Sequence, residues 1–184
     1  SYKITPEELD VWSNLLNKIT HSVFWLIDTN QIAKKNLINR FKKRNINENR
    51  IIFAKNLPHD EHLERIRHAD LFLDTFNYNA HTTCSDTLWA GVPLITKIGK
   101  QFSARVASSL LNAMNLSELI TESKSEYEEL ALKLAKNKDY LIEIKKRISD
   151  NLLNSPLYDT KKYSKNFEKA LTKVYNDNLQ QKDI

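Results

Sequence analysis

Four short apolar runs, SVFWLID, RIIFAK, DLFLDTF and VPLITKIG, are separated by stretches whose apolar residues return at helical spacing. Within each run the apolar side chains fall on both faces instead of alternating with polar ones. Such strands need cover on both sides, which a sheet with one wet face does not provide. Alternating with helices, they build a parallel sheet with helices on either side. The sequence therefore predicts a doubly wound α/β domain. Only two glycines and four prolines occur among 184 residues, too few for a loop-rich or all-β fold.

Helix ends can be placed by their caps. Thr5 and Glu8 form a capping box around Pro6, which sits at the first helical position, and Val11, Leu15 and Ile19 then recur beside Trp12. NQIAKKNLINRFKKRN and PHDEHLERIRHA read as helices, CSDTLWAG as a helix stopped by Gly91, and FSARVASSLLNAMN as the next. From about Ser123 the pattern is helical only. Ser123 and Glu126 make a second capping box; Leu141, Ile144, Ile148 and Leu152 form one apolar stripe, and Tyr163, Phe167, Leu171 and Val174 another, with Pro156 between them. One domain is expected over residues 1–179, with a frayed polar tail at 180–184.

Charge narrows the partners. The 28 basic and 23 acidic residues give a net charge of +5, spread over several amphipathic helices. A nucleic-acid surface concentrates such charge into a stripe with interleaved aromatics, so no nucleic-acid partner is expected. Cys84 stands alone, which rules out an internal disulfide and fits a reducing compartment; the cytoplasm is the expected location. No run approaches the roughly 20 apolar residues of a membrane span, and no signal-peptide pattern is present.

In an open parallel sheet, ligands bind beyond the carboxyl ends of the strands. Here those ends are the loops after Ile27, Ala54, Leu73 and Thr96, and two of them carry unusual chemistry. In NAHTTCSD, a helix starting near Thr83 would leave the amides of Thr82, Thr83 and Cys84 as donors at a positive dipole end. The Thr82 and Thr83 hydroxyls and His81 add further donors for an anion, and Asp86 points an acceptor toward the same mouth. On spacing alone the block reads first as an ordinary capped helix start with a surface histidine. In LPHDEHLER, His62 and Arg65 share a helix face suited to a flat polar ring, with solvent exposure as the alternative. His59 and His62 lack the further ligands a metal centre needs. Cys84 is read as a small helix residue. No G-x-S-x-G, G-x-x-x-x-G-K-S/T or G-x-G-x-x-G motif occurs.

The block HTTCSDTLWAGVPLIT, preceded by ADLFLDTF and followed by FSARVASSLL, resembles the C-terminal catalytic lobe of protein O-linked N-acetylglucosamine transferases, including the plant Spindly type. YKITPEELDVWSNLLNKI, RIIF and PLYDTKKY agree in the same order. The resemblance implies one Rossmann-like half of a two-lobed GT-B glycosyltransferase, inverting and independent of metal or other cofactor, acting on protein Ser or Thr with UDP-GlcNAc as donor. Related enzymes using another hexose or an Asn acceptor, and a non-catalytic UDP-sugar-binding module, are the alternatives.

By the same resemblance, Lys3 contacts the diphosphate and stabilises the leaving group. His62 packs on the uracil and Arg65 contacts it; His81, Thr82 and Thr83 bind the diphosphate, and Asp86 the ribose. Two positions depart from the pattern. Ala80 replaces a glycine, putting a methyl beside the phosphate-facing turn, and His59 replaces a lysine near ribose or phosphate. The lobe carrying acceptor contacts, the helical repeats that deliver protein substrates and a glutamine upstream of Ser1 lie outside the sequence. The isolated chain is expected to bind nucleotide and to catalyse little.

Overall fold

In a computed structural model, residues 3–182 are described. Helix α1 (Pro6–Lys18) starts at the expected capping box, with Pro6 at its first turn. Strand β1 (Phe24–Ile27), helix α2 (Gln31–Lys42), strand β2 (Ile51–Ala54), helix α3 (His59–Ile66) and strand β3 (Phe72–Leu73) follow. Then come α4 (Thr82–Trp89), β4 (Leu94–Lys97), α5 (Val106–Ala113), β5 (Ile120–Thr121), α6 (Lys124–Lys136), α7 (Lys138–Asn151) and α8 (Thr160–Lys182).

Every strand pairing is parallel. β1 pairs with β2, Phe24 opposite Ile51 and Ile27 opposite Ala54. β4 lies between β3 and β5, with Phe72 opposite Leu94 and Lys97 opposite Thr121. The chain thus steps outward from β1 to β2 and begins a second parallel set at β3. Leu9, Trp12, Leu16, Phe41 and Ile51 form the core beneath the first set, and Leu88, Leu94, Ile95, Leu111, Tyr127, Ile144 and Ile148 are prominent in the second. Helix α1 joins the two by giving Val11 and Leu15 to one core and its other apolar residues to the other, while Leu73 packs against both. The doubly wound α/β expectation is met, with the seam between the two strand sets at the point where ligands bind in such sheets.

Four local expectations need adjustment. β4 is covered on both faces, but Ile27 and Ile52 are exposed, so the first strand pair keeps an open side. On that side, which Trp25 shares with Ile27 and Ile52, the Arg65 guanidinium of α3 lies 5.3 Å from the Trp25 ring. The helix expected over FSARVASSLLNAMN is broken at Arg105 into a 3-10 turn and α5. β5, only two residues long, carries no period that a sequence reading can detect. Helix α8 continues to Lys182, through the first three positions of the expected tail.

Both glycines have positional reasons. Gly91 ends α4 at φ 80°, a left-handed conformation that favours glycine. At Gly99 an added Cβ would lie 2.5 Å from the Ala104 methyl, while its amide donates to the Ala104 carbonyl at 2.8 Å. That close approach folds the loop after β4 back toward β3. Tyr163, Phe167, Leu171 and Val174 on α8 are all exposed.

Candidate functional site

The site is built at the carboxyl ends of β2 and β3. Directly after β3, Asp74 is almost fully buried. Its Oδ1 accepts from the amides of Thr75 (2.8 Å) and Ala80 (2.6 Å), and its Oδ2 from the Thr96 hydroxyl (2.7 Å). These bonds close the loop between Thr75 and Ala80 into a tight turn. The Asn79 side chain donates to the Thr75 carbonyl at 2.8 Å, and its amide donates to the Ser103 carbonyl at 2.8 Å. Burial pushes the Asp74 carboxyl up to about 7, against the opposing effect of its three hydrogen bonds and of Lys3.

This turn delivers His81 to the N-cap of α4. Its Nε2 lies 3.4 Å from the Ser103 carbonyl, and its ring stacks on Tyr78 at 4.8 Å. A carbonyl only accepts, so the proton of that pair sits on Nε2. The Cys84 amide, expected as a free donor, is instead bonded to the His81 carbonyl at 3.0 Å, and Ser85 shares the same acceptor at 3.2 Å. This tight first turn leaves the amides of Thr82 and Thr83, both exposed residues, without an acceptor among the described residues. The anion-facing donors are therefore two amides, not three. Cys84 is fully buried, and burial pushes its thiol well up, which agrees with a packing role.

Ala80 fits without strain. It has no left-handed backbone, and its methyl is buried in the second core. The methyl that replaces a glycine hydrogen thus packs into the core.

Lys3 reaches the same turn from the start of the chain. Its Nζ donates to the Asn79 carbonyl at 3.2 Å and lies 4.1 Å from the centroid of the Tyr78 ring. Burial lowers its pKa, partly offset by Asp74. Lys3, Tyr78 and His81 therefore form one layered group beside the two free amides.

The LPHDEHLER block forms the other wall. His59, on α3, places Nε2 3.3 Å from Asp86 Oδ1 on α4, which ties the two helix starts together. One turn on, an Arg65 guanidinium nitrogen donates to His62 Nδ1 at 2.9 Å, and a second donates to the Lys55 carbonyl at 2.6 Å. His62 and Arg65 thus share a face, as their spacing predicts. Burial lowers the His62 pKa first, and Arg65 lowers it further, against Asp86; because a guanidinium only donates, Nδ1 is the acceptor and the ring proton sits on Nε2. Among the described residues, no group of three or more His, Cys, Asp or Glu side chains is placed to hold a metal ion.

Sequence reasoning missed three supporting residues. Asp74 carried a signal, an acid directly after a buried strand. Glu8 was read only as a capping residue, but it also accepts from the Phe76 amide at 2.8 Å. Tyr158 donates from its hydroxyl to the Ser85 carbonyl at 2.7 Å and packs edge-on to Trp89, bracing α4 from its far side. The last two act over long sequence separations that no local pattern reveals.

Comparison with known proteins gives the family and the fold. A family model described as glycosyl transferase family 41 matches residues 1–167. The probable UDP-N-acetylglucosamine–peptide N-acetylglucosaminyltransferase SEC of Arabidopsis thaliana is 36% identical over 95% of this chain and 18% of its own length. The Caenorhabditis elegans UDP-N-acetylglucosamine–peptide N-acetylglucosaminyltransferase is 31% identical over 95% of this chain and 15% of its own. A solved structure of a K341M mutant of the Thermobaculum terrenum O-GlcNAc transferase superposes with a TM-score of 0.92 at 27% identity, covering 97% of this chain and 35% of that one. The chain spans less than a fifth of the length of these curated relatives. With the family model covering most of its length and the fold agreeing throughout, the chain belongs to glycosyl transferase family 41, as a C-terminal, Rossmann-like half of a GT-B enzyme.

Proposed function

We propose that this chain is the donor-binding lobe of a metal-independent, inverting glycosyltransferase that moves N-acetylglucosamine from UDP-GlcNAc to Ser or Thr of proteins. The observation that carries the reading is the contact of Lys3 with Tyr78 and Asn79 in the turn that leads into α4, whose first amides, Thr82 and Thr83, have no acceptor among the described residues. A diphosphate held there takes donors from a cation, two amides and two hydroxyls. The His62–Arg65 pair is suited to the uracil, with the neutral ring stacking on the base, and Asp86 to a ribose hydroxyl. His59 already engages Asp86, so the lysine-to-histidine departure serves here to orient the ribose acceptor.

Departure of UDP leaves charge growing on the β-phosphate. Fixed donors aimed at that charge stabilise it without reorganising at the moment of reaction. Lys3 is suited to this because its partial burial strengthens the interaction with an incoming anion. Protein acceptor and general base belong to the remainder of a longer enzyme.

Titrating UDP and UMP into the chain by calorimetry tests the reading. One charge-assisted hydrogen bond contributes about 1.5–3 kcal/mol, so UDP is expected to bind at least about tenfold more tightly than UMP. Equal affinities, or binding of neither, would remove the diphosphate role of the His-Thr-Thr turn.

A further inference from the structure

Two buried carboxylates stand behind the phosphate-facing turn without facing the ligand themselves. Glu8, in the first turn of α1, has no exposed surface. Its Oε2 accepts from the Thr5 amide at 2.7 Å and from the Thr5 hydroxyl. Its Oε1 crosses to the loop after β3 and accepts from the Phe76 amide at 2.8 Å, 68 positions along the chain. Asp74 holds the adjacent Thr75 amide and the Ala80 amide at the other end of that loop. Consecutive amides at the loop entry therefore go to different carboxylates, and the amide just before His81 returns to Asp74.

A capping glutamate needs only the amide of its N-cap residue and normally keeps its other oxygen in water. Burying that oxygen costs free energy unless it finds a donor. Here it finds one on the loop that carries the anion site. The same few residues, Lys3 to Glu8, thus deliver a cation to the turn and fix the turn from behind.

We propose that Glu8, seconded by Asp74, is a positioning residue for the donor diphosphate. It ties the segment bearing Lys3 to the turn bearing His81, Thr82 and Thr83, so ammonium and amides face one anion before that anion arrives. The proposal rests on the donor-lobe reading above. Without the strut the loop samples other arrangements, and the ligand must supply the cost of ordering it. The penalty falls on phosphate recognition. The base-directed pair, His62 and Arg65, is anchored to Lys55 and Trp25 and stays in place.

The test compares UDP and UMP affinities of the 184-residue chain with those of E8A, E8D and E8Q, with thermal midpoints measured alongside. Glu8→Ala removes the strut, and Glu8→Asp keeps the charge but cannot span both amides. Each is expected to lose about tenfold of the preference for UDP over UMP, with UMP affinity changed by less than about threefold. Glu8→Gln keeps one oxygen for the Phe76 amide but turns an NH2 donor toward the Thr5 amide, so it holds only one end of the strut and is expected to lose about threefold of the preference, between wild type and Glu8→Ala. Should Glu8→Ala fail to fold, Glu8→Asp carries the comparison. Variants that lose stability yet keep the wild-type preference would overturn the proposal, leaving Glu8 a brace and nothing more. Glu8→Gln keeping the full wild-type preference would also overturn it, because the two-ended strut would then not be what sets phosphate recognition. Failure of the donor-lobe reading itself shows separately, as a wild-type chain without any preference for UDP, and removes both.

Discussion

Asp74 follows β3 with a carboxyl group that burial pushes up to about 7, well above its ordinary 3.8. Its surroundings explain why: Lys3 is the one nearby cation among the groups acting on it, while Cys84 and Tyr127 are buried neutral groups whose own ionisation Asp74 opposes. A raised carboxyl pKa means that the native chain binds a proton the unfolded chain has lost. Its stabilising contribution is full below about 3.8 and disappears as pH rises to about 7. Asp74→Asn keeps an oxygen for the Thr75 and Ala80 amides but cannot ionise. The stability of wild type relative to D74N, measured by thermal unfolding, should therefore fall steadily between pH 4 and pH 8, by on the order of a few kcal/mol. A difference that stays flat with pH would show Asp74 ionised throughout. At this scale the sequence reading placed His81, Thr82 and Thr83 at the start of a helix after β3, where the structure has them, but passed over Asp74, which follows that strand directly. The sequence was not legible for Glu8, whose decisive bond is to a backbone amide, a partner that every residue type but proline offers.

Among the elements, the long helices and buried strands were readable because their apolar periods are long and their caps are explicit. Thr5, Ser123 and Gly91 all end helices as their residue types require. The break at Arg105 and the two-residue β5 were not readable, since neither alters the apolar pattern. The two C-terminal apolar stripes look alike in sequence but differ in packing. Ile144 and Ile148 of α7 are fully buried, whereas Phe167 and Leu171 of α8 are 53% and 54% exposed. Ile148→Ala should cost about 2–5 kcal/mol through lost burial and the cavity left behind. Phe167→Ser should change stability by less than about 0.5 kcal/mol. Urea unfolding of the two variants measures both, and equal costs would mean that α8 is packed in solution.

Across the whole molecule, the two parallel strand sets and the α1 helix that joins their cores place three loop and helix-start segments at one edge. Lys3 comes from the chain start, the His-Thr-Thr turn from β3–α4, and His59, His62 and Arg65 from β2–α3. Contacts run across them: Lys3 to Asn79, Tyr78 to His81, Asp86 to His59, and His62 to Arg65. The sheet class and the edge were evident from strand character, but the number of free amides was not, because it depends on how tightly α4 winds its first turn. The central claim is that the Thr82 and Thr83 amides receive the diphosphate. The most direct measurement follows those two amide signals by nuclear magnetic resonance while UDP, or uridine, is added to the chain. UDP should move both signals strongly and uridine should leave them nearly unmoved, with His62 responding to both ligands. Thr82 and Thr83 signals that stay in place with saturating UDP would contradict the claim.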